Sequence, residues 1–288
     1  MSIKMMGADV AKSVMERIIP EVQELKDKGI IPCLTIIRVG ARPDDLAYER
    51  GAKKRMEAAG IICKVLELPE DIGQTEFEEE FRKVNEDKSV HGILLFRPLP
   101  GTLDEEAIKK MIHPLKDVDC MSDDNIAKVF SGDEKGFAPC TAEAVMEMFD
   151  YYGISLEGKR AVVVGRSMVV GRPLAMLLLK QNATVTMCHT RTKELAAACR
   201  DAEILVAAAG KAKMLTKDMV GDGAVVADVG INVDSDGNLC GDVDFDGVEE
   251  KTSYISPVPR GVGSITTSVL AAHVLRAAKY LEEMKDSK

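Results

Sequence analysis

No tryptophan occurs in the 288 residues, and the aromatic side chains amount to five tyrosines and seven phenylalanines. The core must therefore be built from aliphatic residues and from the 15 methionines. Also absent is any run of about 18 uncharged apolar residues, the length a membrane-spanning helix needs. The opening MSIKMMGADV has no apolar h-region, which predicts no secretory signal peptide. Cations are in deficit, with 38 Lys and Arg against 47 Asp and Glu and a formal net charge of -9. Nucleic acid and anionic membrane surfaces both call for basic patches, so neither is expected as a partner. A small anionic ligand held by a few local cations stays open.

Metal-ligand spacing is lacking too. The seven cysteines (Cys33, Cys63, Cys120, Cys140, Cys188, Cys199 and Cys240) are odd in number and form no CxxC pair. The four histidines are equally scattered. The expectation is free thiols in a reducing cytoplasm, with no metal site and no disulfide frame.

What is present is a βα rhythm. CLTIIRV (33–39), ICKVLEL (62–68) and GILLF (92–96) read as strands, with helical patterns over 8–28, around Tyr48, over 74–85 and over 104–111. The stretch 117–141 reads as irregular. A helix over 142–152 precedes a second set of strands: AVVVG (161–165), ATVTMCH (183–189), ILVAAAG (204–210), AVVADVG (224–230) and YISPV (254–258). Helices are predicted over 172–181, 193–200 and 266–285. The fold class is α/β, with parallel sheets covered on both faces.

KRAVVVGRSMVVGRPLAMLLL (159–179) runs a buried strand into Gly165 and opens a helix after Gly171, with Pro173 suited to a first helical turn. An open α/β sheet binds nucleotide phosphates at such a place, where a helix N-terminus offers N–H groups and a positive dipole end. The spacing is not GxGxxG, and an ordinary strand–turn–helix fits the same pattern. The next strand ends in His189-Thr190-Arg191-Thr192, without the carboxylate that would accept the ribose hydroxyl of NAD. An arginine and two hydroxyls there suit a 2′-phosphate, so NADP is expected, with NAD as the alternative; Arg191 as a plain solvated residue is the other reading.

GRSMVVGRP, NATVTMCHTRT, ADVGINV, GDVDF and SPVPRGVG together resemble the bifunctional methylenetetrahydrofolate dehydrogenase/cyclohydrolase family, as do VGARPDDLAYERGAKKRMEAAGI, HGILLFRPLP and KDVDC. The resemblance spans nearly the whole chain. It implies an N-terminal α/β substrate domain over 1–142, completed by the C-terminal helix 266–288, and a Rossmann-type dinucleotide-binding domain over 143–265, with the cleft between them. It also implies a homodimer that oxidises 5,10-methylenetetrahydrofolate and hydrolyses the methenyl product. On the cofactor side it points to Gly165, Arg166, Ser167, Val170, Gly171, Arg172 and Pro173, to Thr190 and Arg191, and to Gly230, Ile231 and Asn232. On the tetrahydrofolate side it points to Tyr48 and Asp119 as catalytic and substrate-binding, joined by Phe96, Pro259, Arg260, Gly261 and Val262.

Several of these positions depart from the family pattern. The residue four after Tyr48 is Ala52, where the resemblance implies lysine; Phe96 stands for glutamine; Cys120 and Arg260 stand for glycines. Residues i and i+4 share a helix face, whereas Lys53 lies about 100° further round. Hydride transfer needs mainly positioning, but hydrolysis needs a general acid–base group. The expectation is thus an NADP-dependent dehydrogenase with weak or absent cyclohydrolase activity. A same-fold oxidoreductase for another small substrate and a catalytically silent nucleotide-binding homologue are the alternatives, and the role of Arg260 stays open.

Overall fold

The computed structural model describes residues 2–286. In chain order the elements are β1 (Ile3–Lys4), α1 (Gly7–Asp27), β2 (Cys33–Val39), α2 (Pro43–Ala59), β3 (Ile62–Leu68), α3 (Gln74–Glu86), β4 (Gly92–Leu95), α4 (Glu105–Met111), α5 (Asp123–Ser131), α6 (Cys140–Tyr151), β5 (Arg160–Val164), α7 (Gly171–Lys180), β6 (Thr184–Cys188), α8 (Leu195–Arg200), β7 (Ile204–Ala207), β8 (Val225–Asp228), β9 (Asn232–Val233), β10 (Leu239–Cys240), α9 (Phe245–Val248), β11 (Tyr254–Ile255) and α10 (Thr266–Asp286). The chain separates by contact into two compact units. One holds the residues up to Ser13, Val129–Asp133 and Pro139–Thr266; the other holds Val14–Lys128, Glu134–Ala138 and the chain from Thr267 onward. The last two residues of the expected helix 266–288 lie outside the described residues. Among the described residues, no helix is long and apolar enough to cross a membrane.

The unit around Val14–Lys128 carries a parallel sheet in the order β3-β2-β4. Central position explains the burial of all seven residues of CLTIIRV in β2, whereas β3 at the edge is half-buried or exposed from Ile62 to Glu67 and buried only at Leu68. Phe77 and Phe81 of α3 and Ile108 of α4, all fully buried, join Ile37, Ile93 and Leu95 in one apolar cluster. Helix α2 starts with Pro43 behind an extended Arg42 and stops at Gly60 in the left-handed region. Its buried stripe is Glu49, Ala52, Met56 and Ala59, a helical spacing that turns Ala52 inward.

The other unit carries a six-stranded parallel sheet in the order β1-β11-β8-β7-β5-β6. Neighbours of β5 lie on opposite sides, β6 on one and β7 on the other, so the strand order reverses at the carboxyl end of β5. This is the topological switch point at which open α/β sheets take their ligands. The antiparallel pair β9–β10 forms a separate hairpin after β8.

The structure corrects the reading of 117–141 as irregular, because α5 lies within it. Its start is organised by local side-chain bonds. The Asp117 carboxylate accepts from the N–H groups of Met121 and Ser122 and from the Ser122 hydroxyl, and that hydroxyl in turn accepts from Asn125 N–H. Serine capping of this kind supplies acceptors to a helix start that has none of its own.

Candidate active site

At the carboxyl end of β5, backbone approaches are too close for any side chain but hydrogen. A Cβ on Gly165, whose φ is +134°, would meet the Ala208 carbonyl oxygen at 2.1 Å, and one on Gly171 would meet the Gly165 carbonyl oxygen at 2.2 Å. The two glycines thus bring the start of α7 down onto the strand end, the third-glycine function in a dinucleotide turn. Between them, Arg166 and Ser167 are exposed and Val170 is half-buried; Arg172 is exposed and Pro173 buried. The Ser167 hydroxyl accepts from Val170 N–H at 3.1 Å and holds the turn. Thr190 and Arg191 are exposed beyond the end of β6. Arg191 N–H donates to His189 Nδ1 at 3.1 Å and His189 N–H to the Thr192 hydroxyl at 2.8 Å, so this turn is tied locally while the guanidinium stays in solvent. A helix N-terminus, a glycine cradle and an arginine beyond the second strand fit a dinucleotide with a 2′-phosphate.

Beyond β8, Gly230 is buried, Ile231 is 70% exposed and Asn232 is half-buried. Two buried aspartates that sequence reasoning missed hold this region. Asp228 accepts from the N–H groups of Gly230, Asp242 and Val243, at 3.0, 3.0 and 2.9 Å. Burial pushes its pKa up to about 6, although those three donors pull it the other way. Asp242, with no solvent exposure, accepts from the N–H groups of Ala209, Gly210 and Lys211 and from the Asn232 amide, at 2.6, 3.0, 2.8 and 2.9 Å. A Cβ on Gly230 would meet Asp242 Oδ1 at 2.3 Å, and one on Gly241 would meet Asp228 Oδ2 at 1.9 Å. Each buried carboxylate is thus met by a glycine, the one signal in ADVGINV and GDVDF that could have marked them.

Pro259 and Arg260 are exposed, whereas Gly261 and Val262 are buried. Arg260 has φ +83°, a left-handed conformation that costs a side-chain-bearing residue about 1–2 kcal/mol. Its carbonyl accepts from Gly7 N–H at 2.8 Å. Cys120, the other replacement for a family glycine, likewise sits at φ +58°. Both replacements therefore keep the backbone course that a glycine would take freely.

In the other unit the candidate residues follow the carboxyl ends of the parallel strands. Phe96 comes directly after β4, and Asp119 follows Asp117, which bridges to Ile93 of β4. Asp119 is half-buried; Val118 before it holds its carbonyl against His273 Nδ1 at 2.8 Å. Tyr48, on the helix that follows β2, meets Phe96 edge to face, with ring centroids 5.8 Å apart and planes at 85°. Ala52 has no solvent exposure and Phe96 only 8%. The two positions beside Tyr48, one a helical turn on and one across the ring contact, thus carry a methyl and an aromatic ring in place of polar groups.

Lys53 is engaged elsewhere. Its ammonium lies 2.7 Å from Glu49 Oε1, whose other oxygen takes the Arg38 guanidinium at 2.9 Å. Arg38 also reaches Glu67 at 2.7 Å and the Gly40 carbonyl at 2.6 Å. Burial pushes the Glu49 carboxyl up, but hydrogen bonds from Lys53 and Arg38 outweigh it and hold its pKa below the usual value. Lys53 thus completes an ion network on the Glu49 side of α2 and adds no cation at position 52.

A parallel sheet with a glycine turn at its switch point defines a dinucleotide-binding α/β protein. Residues 139–282 match the tetrahydrofolate dehydrogenase/cyclohydrolase NAD(P)-binding domain, and residues 5–119 match the catalytic domain of the same family. The bifunctional protein FolD of Alkaliphilus oremlandii is 56% identical over 97% of this chain and 98% of its own length. The crystal structure of FolD from Campylobacter jejuni, 41% identical, superposes with a TM-score of 0.94 over 97% of this chain and 99% of that one. The Trypanosoma brucei enzyme, solved with NADP and an inhibitor, superposes at 0.91 with 36% identity over 97% of this chain and 98% of that one. The chain belongs to the tetrahydrofolate dehydrogenase/cyclohydrolase family.

Proposed function

We propose that the protein is an NADP-dependent 5,10-methylenetetrahydrofolate dehydrogenase in which methenyl hydrolysis is weak or absent. The observation that carries the second clause is the corner beside Tyr48, where a fully buried Ala52 and the Phe96 ring occupy the places of the lysine and glutamine that the family resemblance implies. In this reading residues 143–265 hold the cofactor and residues 1–142, with the last helix, hold the folate.

NADP, when bound, supplies the acceptor for a hydride leaving the methylene carbon. Gly165, Arg166, Ser167, Val170, Gly171, Arg172 and Pro173 hold its phosphates, Thr190 and Arg191 its ribose phosphate, and Gly230, Ile231 and Asn232 its nicotinamide end. Tyr48 and Phe96 form an aromatic wall for the substrate and Asp119 accepts hydrogen bonds from the pterin amino and ring N–H groups. Pro259, Arg260, Gly261 and Val262 complete the substrate side. The carbocation left behind is stabilised by the folate's own nitrogens, so the oxidation asks these residues chiefly to position. Hydrolysis asks for more: water must lose a proton as it attacks, a service worth roughly 10²–10⁴-fold from a general base. An alanine methyl and a phenyl ring offer none, and Lys53 is already paired with Glu49. Seven free thiols fit a reducing cytoplasm, and the family resemblance supports a homodimer.

The test is an assay of purified protein with 5,10-methylenetetrahydrofolate and NADP, then NAD, following reduced cofactor and methenyl product separately. Reduced NADP and methenyl product accumulating together, with methenyl decay no faster than without enzyme, is the expected result. Rapid methenyl consumption would remove the second clause, and no cofactor reduction would remove the first.

A further inference from the structure

We propose that Asp228 and Asp242 form a two-carboxylate clasp that positions the loops at the carboxyl ends of β7 and β8, so that hydride transfer depends on them while the adenosine end of the cofactor is held independently. The proposal rests on the NADP reading above in one respect, that these loops receive the nicotinamide end.

The clasp closes the base of the β9–β10 hairpin, with Asp228 just before it and Asp242 just after. Through Asp242 it gathers three successive N–H groups of the loop after β7 and the Asn232 side chain of the loop after β8. Asp228 takes the N–H of Gly230, in the same loop, and those of Asp242 and Val243. Leu215 N–H donates to the Asp242 carbonyl and Lys213 N–H to that of Gly241, which fixes the clasp's own backbone. Ala209, Gly210 and Lys211 are exposed. Water could satisfy their N–H groups if the loop had only to be folded. Instead they converge on a carboxylate with no solvent exposure, an arrangement whose desolvation cost must be offset by those same bonds. No side chain fits between: glycines 230 and 241 lie against the two carboxylates. The result is one specified course for both loops. The turn at Gly165–Pro173 and the residues Thr190 and Arg191 take no bond from either aspartate in this network, so the adenosine half keeps its own support.

The experiment compares wild type with the isosteric Asp242→Asn and with Gly230→Ala, whose methyl would press on the Asp242 carboxylate. The readouts are kcat and KM for NADP, binding of adenosine 2′,5′-bisphosphate, and thermal unfolding. In Asp242→Asn one oxygen becomes a donor and two of the four bonds lose their acceptor. Expected is a fall in kcat of about 10- to 100-fold, as a misplacement on the order of 1 Å produces, with bisphosphate binding changed less than about twofold. Gly230→Ala, which forces the Asp242 carboxylate aside, should show the same split to at least the same degree. Hydrogen exchange of wild type is an independent arm: the amides of Ala209, Gly210 and Lys211 should be slowed at least about tenfold relative to unprotected amides. Unprotected exchange there overturns the proposal, as do folded variants with unchanged kcat. A parallel fall in kcat, bisphosphate affinity and stability also overturns it, since that reports general structural damage. Should wild type itself reduce no NADP, the cofactor reading fails and the exchange result still decides whether the clasp exists.

Discussion

Restoring a lysine and a glutamine beside Tyr48 should restore hydrolysis, and the structure sets what that double change must overcome. Ala52 is fully buried one turn from Tyr48, and the Phe96 ring meets Tyr48 at 5.8 Å. Ala52→Lys alone would carry an ammonium into an apolar corner, where burial lowers its pKa and costs several kcal/mol without a partner. Phe96→Gln supplies an acceptor and vacates ring volume. That change gives up an edge-to-face contact of about 0.5–1.5 kcal/mol. With the buried ring area included, the loss comes to about 2–4 kcal/mol, below the cost of truncation to alanine because glutamine refills part of the space. The gain is a general acid–base group worth roughly 10²–10⁴-fold in rate. The assay starts from 5,10-methenyltetrahydrofolate without NADP, so that hydrolysis is read alone, with the uncatalysed decay as baseline and urea unfolding as a check on folding. The double variant should hydrolyse about 10²-fold faster than the parent, each single variant much less. Lys53→Met should leave the parent's rate unchanged, because Lys53 is bound to Glu49. The reasoning is refuted if the double variant folds and oxidises the methylene substrate but hydrolyses no faster than the parent. A parent that hydrolyses rapidly and loses this with Lys53→Met would refute it equally.

Gly165→Ala would place a methyl 2.1 Å from the Ala208 carbonyl at a φ of +134°, so it should abolish measurable NADP binding by calorimetry while leaving the other unit's fold intact by hydrogen exchange. Glu49→Gln leaves Arg38 without its buried anionic partner, though Glu67 and the Gly40 carbonyl remain; a loss of about 3 kcal/mol in urea unfolding is expected, and less than about 1 would mean the network is slack. For Asp228, a folded-state pKa raised from 3.8 to about 6 means that the folded protein binds the proton more tightly than the unfolded chain. Its contribution is fully present below about pH 4 and is lost as pH rises through 6, by about 3 kcal/mol. The stability of wild type relative to Asp228→Asn should therefore fall between pH 4 and pH 7, and a flat or rising difference would show that the N–H donors dominate.

Much of the fold was legible because burial leaves a mark on composition. Strands β2, β5, β7 and β8 are apolar runs since they lie inside parallel sheets, and Gly165 at the end of β5 follows from the close approach of the Ala208 carbonyl. Strands β1, β9 and β10, two residues each, are too short to carry a period. Helix α5 was missed for a related reason: nine residues long, it begins on bonds from Asp117 and Ser122, which no hydrophobic pattern announces.

The site divides along the same line. The glycine turn, the Thr190–Arg191 pair and the absence of lysine from position 52 are one-dimensional facts, and helix geometry alone puts residue 52 on the face of Tyr48. Helix geometry equally puts Glu49 one turn before Lys53, so that pair is local; what only the tertiary structure decided is that Arg38 of β2 comes to the other oxygen of Glu49 and draws the pair into a buried network. Asp228 and Asp242 are the stronger case. An aspartate read from sequence is by default a surface residue, because leaving water is costly for a carboxylate. Their burial becomes tolerable only when N–H groups from segments up to 33 residues apart converge on them. Sequence thus determined which backbone could turn and which side chains could pair, while the three-dimensional fold decided which charges were desolvated, since that depends on the donors that distant segments bring.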